Sequence, residues 1–217
     1  MTTHSTRRPG RPRDPEHEQR RRCEILDVAG RIFAESGYAK TDLQVVADKL
    51  GIGKGTIYRY FPSKRDLFMA IVDRGLAELN QEIEKQFNSG VGPVVIENCI
   101  RAYLEFFDRN PHMVELFIQE RAEFRDRKVS VYFETSNAEC DKHLKRVQQM
   151  IDDGYLRPVP PQRILDVVAD LLYGTIFANY LSRRVVDVQT QAAEIVDIVF
   201  RGILSDAERQ RSRGTQP

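Results

Sequence analysis

Tryptophan is absent from the 217 residues, and cysteine occurs only three times, at Cys23, Cys99 and Cys140. Three thiols without a CxxC spacing form no paired disulfide framework, which fits a reducing compartment. Strand-like alternation of apolar and polar residues is scarce, so a sheet is not expected. Residues 1–14 hold no apolar stretch of the kind that opens a secretory leader. The longest apolar run, Ile164 to Leu181, is interrupted by Asp166, Asp170 and Asn179, which are costly in lipid. A cytoplasmic chain without a membrane partner is expected. No nucleophile stands beside a base, and no Gly-rich phosphate loop or HExxH run is present, so neither an enzyme nor a cofactor is expected. Cys140 and His143 lie one helical turn apart and supply only half a ligand set, so no metal is expected either.

What is present is 41% hydrophobic and 30% charged, a globular profile, with a net charge of +1 that conceals an asymmetry. Residues 1–65 carry 14 Lys/Arg against 8 Asp/Glu, a net of +6, and the other 152 carry 19 against 24, a net of −5. A basic head on an acidic body points to a polyanionic partner for the head. Apolar residues recur at helical spacing almost everywhere after Arg20, so the fold class is all-α. Ile25, Val28, Ala29, Ile32 and Phe33 stripe a first helix that stops at Gly37. Thr41 with Gln44 has capping-box spacing and opens a second helix to Leu50, and a third runs from about Lys54 to Tyr60. Ser63 with Asp66 caps a long fourth helix to about Phe87. A fifth ends at Arg109, Asn110-Pro111 opens a sixth, and one long helix is expected over residues 126–153. Two apolar-rich helices follow, over about 162–183 and 189–204.

Ala47, Gly51 and Ile57 have the spacing of a helix-turn-helix. Alanine allows close approach, glycine allows a left-handed turn, and isoleucine seats one helix on the other. In Lys54-Gly-Thr-Ile-Tyr-Arg-Tyr60 every outward side chain is a donor and no carboxylate intervenes. The N-terminal residues of a recognition helix enter the major groove, so Lys54, Gly55 and Thr56 are the candidates for base contact. Tyr58, Tyr60 and Lys64 are candidates for phosphates, Arg59 for base edges or phosphates, with Thr41 as a further phosphate ligand. Ahead of them, Arg7-Arg-Pro-Gly-Arg-Pro-Arg13 is similar to an AT-hook core, and Arg11 and Arg13 suit a narrow minor groove. The alternative for this arm is a solubilising tail.

Phe33-Ala-Glu-Ser-Gly-Tyr38, and then the run from Val46 to Phe68 containing Lys54-Gly-Thr-Ile-Tyr-Arg-Tyr-Phe-Pro-Ser-Lys64, resemble the N-terminal domain of the tetracycline-repressor (TetR) family. One departure is Asp42, where members commonly carry a small hydroxyl residue. A carboxylate there repels phosphate, so no contact is assigned to it. The resemblance implies a three-helix helix-turn-helix domain joined by a long helix to a larger ligand-binding and dimerisation domain. The expected organisation is a flexible basic arm (1–20), a DNA-binding domain (21–66), a helical effector and dimer domain (67–205) and a disordered tail (206–217). A double-stranded DNA operator, a small-molecule effector and a second copy joined through the last two helices are the implied partners. Phe106, Phe107, Phe117, Glu120, Phe124 and His143 are the candidate effector contacts. The function implied is that of a repressor released from a palindromic operator by its effector. An architectural DNA binder without effector control is the alternative, and it predicts a well-packed body.

Overall fold

The structure is a computed structural model, and it describes residues 14–127, 129, 130, 132 and 140–202. Arg11, Arg13, the rest of the basic arm and the C-terminal tail lie outside the described residues. Among those described there are nine α-helices and no strand: α1 (Pro15–Ser36), α2 (Leu43–Leu50), α3 (Lys54–Tyr60), α4 (Lys64–Phe87), α5 (Val94–Arg109), α6 (His112–Glu123), α7 (Cys140–Asp152), α8 (Pro161–Ser182) and α9 (Val188–Arg201). The chain divides into two units, residues 1–71 and 72–217.

In the first unit, helix ends explain two departures from expectation. Residues 15–20 belong to α1 and not to a flexible arm. Asp14 accepts from the N–H groups of Glu16 (3.1 Å) and His17 (3.3 Å), Pro15 suits the first helical position, and Glu16 and Glu18 sit at the positive end of the helix dipole. The cap of α2 is Asp42 and not Thr41, and no capping box forms. Asp42 accepts from Gln44 N–H at 2.9 Å, and the Gln44 side chain donates forward to Asp48. Thr41 is instead buried, its hydroxyl donating to the Gly37 carbonyl at 2.8 Å to tie off the α1–α2 connection. Gly51, at φ +63° and ψ +34°, makes the left-handed turn into α3. Ala47 and Ile57 are fully buried, Phe33 stacks on Tyr38 at 5.8 Å, and Phe68 meets both rings edge-on at 5.2 Å. Burying a large apolar side chain such as Ile57, Phe33 or Phe68 contributes roughly 1.5–3 kcal/mol.

In the second unit α5 is the central helix, with Val95, Ile100, Tyr103, Leu104, Phe106 and Phe107 all buried. Both α8 and α9 pack on it, and α8 also meets α6 and α7. Gly75 of α4 faces Met113 of α6, where an added Cβ would collide with the methionine methyl. Asn110 does not open α6. Its backbone closes α5 on the Phe106 carbonyl, its side chain binds the same carbonyl, and Pro111 precedes α6 without a side-chain cap. The long helix expected over 126–153 is also corrected. Phe124 ends α6, residues 125–127 form a turn, and the described helix begins at Cys140.

The last two helices are covered least. Only Leu172 and Ile176 of α8 and Ala192 of α9 are buried, while Val167, Leu171, Leu181, Ile198 and Phe200 are exposed. By length and composition α8 is long and apolar enough to cross a membrane, and 11% of its most apolar window is buried.

Candidate nucleic-acid interface and body cavity

The exposed side of α3 carries Gly55, Tyr58 and Arg59, with Lys54, Thr56 and Tyr60 half-exposed and Ile57 turned into the core. The spacing of Ile57 from Ala47 and Gly51 thus decides which side chains face outward. Nothing in the protein lies within 4 Å of a Cβ built on Gly55, so internal packing does not require glycine there. Gly55 is the second residue of α3, and without a side chain it leaves the backbone of the first turn open to solvent. Arg59 lies over the Tyr60 ring at 5.1 Å and reaches its hydroxyl at 3.4 Å, which orients both along one edge of the helix.

Two lysines are held before any ligand arrives. Lys54 Nζ donates to Asp42 Oδ1 at 2.7 Å. Bonding from Gln44 N–H and from Lys54 holds the Asp42 carboxyl below its ordinary value, and Asp42 raises Lys54 above its own. Asp42, to which the sequence assigned no contact, is therefore the residue that orients the first cation of α3. Lys64 donates to the Ala39 carbonyl at 3.2 Å and lies 4.7 Å from the centre of the Tyr38 ring. Its helix starts on Ser63, whose hydroxyl accepts from Asp66 N–H and donates to the Asp66 carboxylate. Thr41 departs from expectation: at 5% exposure, with its hydroxyl hydrogen engaged, it does not present a phosphate ligand.

The second unit contains a cavity of about 230 Å³, between α4, α5, α7 and α8. Leu79, Ile83, Ile100, Val147, Leu165 and Leu172 give it an apolar wall. Its lining also holds polar groups, among them two hydrogen-bonded pairs: His143 Nε2 donates to Glu84 Oε1 at 2.8 Å, and the Tyr103 and Tyr132 hydroxyls share a hydrogen bond of 2.9 Å. Burial, followed by the nearby Glu84 charge, pushes the Cys99 thiol up to about 12, and burial takes Tyr132 to about 12.

Of the six residues expected to meet an effector, only His143 lines this cavity. Phe106, Phe117 and Phe124 are consumed by core packing, Phe117 standing 6.1 Å from Phe107 and 5.6 Å from Tyr132 between ring centres. Phe107 lines a separate open cleft near Tyr180. Glu120 is 1% exposed, accepts from the Ser130 hydroxyl at 2.9 Å and stands 3.9 Å from Arg127 Nε, which makes it an internal tie. The cavity residues missed by sequence reasoning had a signal. Leu76, Leu79 and Phe87, with the half-buried Ile83 between them, form an apolar stripe of α4, and Asn80 and Glu84 interrupt it with polar groups one turn apart. Among the described residues no group of three or more His, Cys, Asp or Glu could hold a metal ion.

Residues 25–71 match the sequence profile of the family described as bacterial regulatory proteins, tetR family. An uncharacterised HTH-type transcriptional regulator of Bacillus subtilis, YhgD, is 26% identical over 82% of this chain and 94% of its own. The HTH-type transcriptional repressor KstR of Mycobacterium tuberculosis is 24% identical over 89% of this chain and 84% of its own. Among solved structures, the TetR-family regulator PfmR of Thermus thermophilus superposes with a TM-score of 0.67 at 22% identity, covering 83% of this chain and 99% of that one. FadR of Bacillus subtilis, solved in complex with stearoyl-CoA, superposes at 0.66 and 14% identity over 84% and 99%.

Proposed function

By its head the chain is a member of the tetR family of bacterial regulatory proteins, and from that premise we propose that it is a homodimeric repressor whose grip on a DNA operator is released by a small lipophilic molecule. The observation that carries this reading is the outward face of α3: Lys54, Gly55, Thr56, Tyr58, Arg59 and Tyr60 offer donors and open backbone without one carboxylate of their own. Lys54, Gly55 and Thr56 read base edges, and Tyr58, Arg59, Tyr60 and Lys64 hold phosphates.

The apolar side chains left uncovered on α8 and α9 support a pairing of two copies through these helices. A protein interface also accommodates Asp166 and Asp170 at far lower cost than hydrocarbon does, which favours a second copy over lipid as the cover of α8. Two heads related by a two-fold axis suit half-sites about one DNA turn apart. The body cavity favours effector control over a purely architectural role, for which a filled body suffices. An effector that binds better to one spacing of the heads shifts the population toward it, without any enzymatic step. The cytoplasm is where such a regulator meets both DNA and effector.

The test is a mobility shift on the DNA flanking the protein's own gene. Retardation at low salt by the dimer, competed poorly by unrelated DNA, is the expected result. A confirmed dimer that retards neither would remove the proposal.

A further inference from the structure

The effector reading leaves the ligand's chemistry open, and the charge of the cavity narrows it. Among the described lining residues there is no lysine or arginine. The lining holds two carboxylates and one imidazole: Glu84 is bonded to His143, whereas Asp166 is exposed and accepts from the Gln162 side chain at 2.7 Å. Arg146, one turn from His143 on α7, is turned away and donates to the Gly90 carbonyl. Glu84 is 27% exposed, partly withdrawn from water and thus poorly screened. Its oxygens take His143 at 2.8 Å and Asn88 at 3.2 Å, and each keeps a second lone pair.

The aromatic groups point the same way. Phe87 lies 4.3 Å from the His143 ring centre, and Phe87, Tyr103 and Tyr132 all contribute to the lining. Aromatic rings and a carboxylate in one apolar wall are groups that can together attract an organic cation. A ligand carboxylate or phosphate would leave water to stand beside Glu84, and His143, the one basic side chain among the described lining residues, is already bonded to that carboxylate.

We propose that this cavity selects a lipophilic cation, an apolar body bearing a protonated amine or quaternary nitrogen, with Glu84 as its counter-charge. This rests on the cavity being the effector site, and it separates the chain from the acyl-CoA ligand with which the Bacillus subtilis FadR was solved.

The experiment titrates the full-length dimer by calorimetry with decylamine, decanoate and decanol at neutral pH, each below its micelle concentration. These probes share one chain and differ in the charge of the head. Decylamine is expected to bind at least tenfold more tightly than decanoate. Glu84→Gln is expected to erase that preference while decanol binding, which reports an intact cavity, stays within twofold. Decanoate binding as tightly as the amine, an amine preference that survives Glu84→Gln, or no binding of any probe overturns the proposal. A parallel mobility shift on operator DNA separates the two readings. Amine-selective binding that leaves the DNA complex unchanged keeps the charge selection and removes the effector role, whereas release by decanoate alone keeps the effector role and removes the charge selection.

Discussion

Asp42 is the residue whose local chemistry reaches furthest. One carboxylate caps α2 and holds Lys54 at 2.7 Å, so a negative charge sits beside the surface proposed to read DNA. Asp42→Asn keeps a competent cap while freeing the lysine. The expected outcome is tighter binding to non-specific DNA at low salt, with the salt dependence of log K steeper by about one unit, measured by fluorescence anisotropy. An unchanged slope would show that the freed lysine adds no phosphate contact. Acid does not mimic this substitution near neutrality. The Asp42 carboxyl lies below its ordinary value when folded, so the pair is complete above that ordinary value and is lost only as pH falls through the depressed one. Operator binding should show no contribution from this pair between pH 6 and 9. Lys54→Ala is expected to change which operator is preferred, and Lys64→Ala to weaken all sequences alike with a slope smaller by about one unit. Lys64 also ties Ala39 and Tyr38 together, so a modest loss of head stability should accompany its removal.

Among elements, the turn between α2 and α3 sets the angle of the reading helix, and Gly51 sets the turn. A Cβ at Gly51 meets nothing within 4 Å, so the penalty for a side chain there is one of backbone conformation alone. At φ +63°, alanine should destabilise the head by about 1–2 kcal/mol, and asparagine, which tolerates the left-handed region, by less. Thermal denaturation followed by circular dichroism distinguishes them. Equal losses for the two variants would mean that the turn relaxes into another conformation. Gly51, Ala47 and Ile57 were all legible in the sequence because each obeys a local rule. The α2 cap lies one residue beyond the capping-box position because Thr41 and Asp42 satisfy the same local rule. Burial of Thr41 against the Gly37 carbonyl, a contact made across the α1–α2 connection, decides between them.

For the molecule as a whole, the apolar surface of α8 and α9 carries the assembly prediction. Leu171→Glu combined with Ile198→Glu places charges at two exposed apolar positions without touching the buried Leu172, Ile176 or Ala192. Sedimentation should show a monomer that retains native helicity, and operator affinity should fall by at least a hundredfold because one head then grips one half-site alone. A double variant that remains dimeric would place the interface elsewhere.

The amino-acid sequence by itself determined the helical class, the order and approximate bounds of most helices, and the donor-rich face of α3, because periodicity, caps and turn residues act over one or two turns of chain. It did not determine which aromatics of the body are core and which are cavity. Phe106, Phe117 and Phe124 share the spacing and chemistry of Phe87 and Tyr103, and only packing between helices far apart in sequence fills the space around the first three and leaves the other two facing a void. The pairing of Glu84 with His143, 59 residues apart, is likewise a product of tertiary structure. The charge of that void followed from the fold's choice of which polar side chains face it.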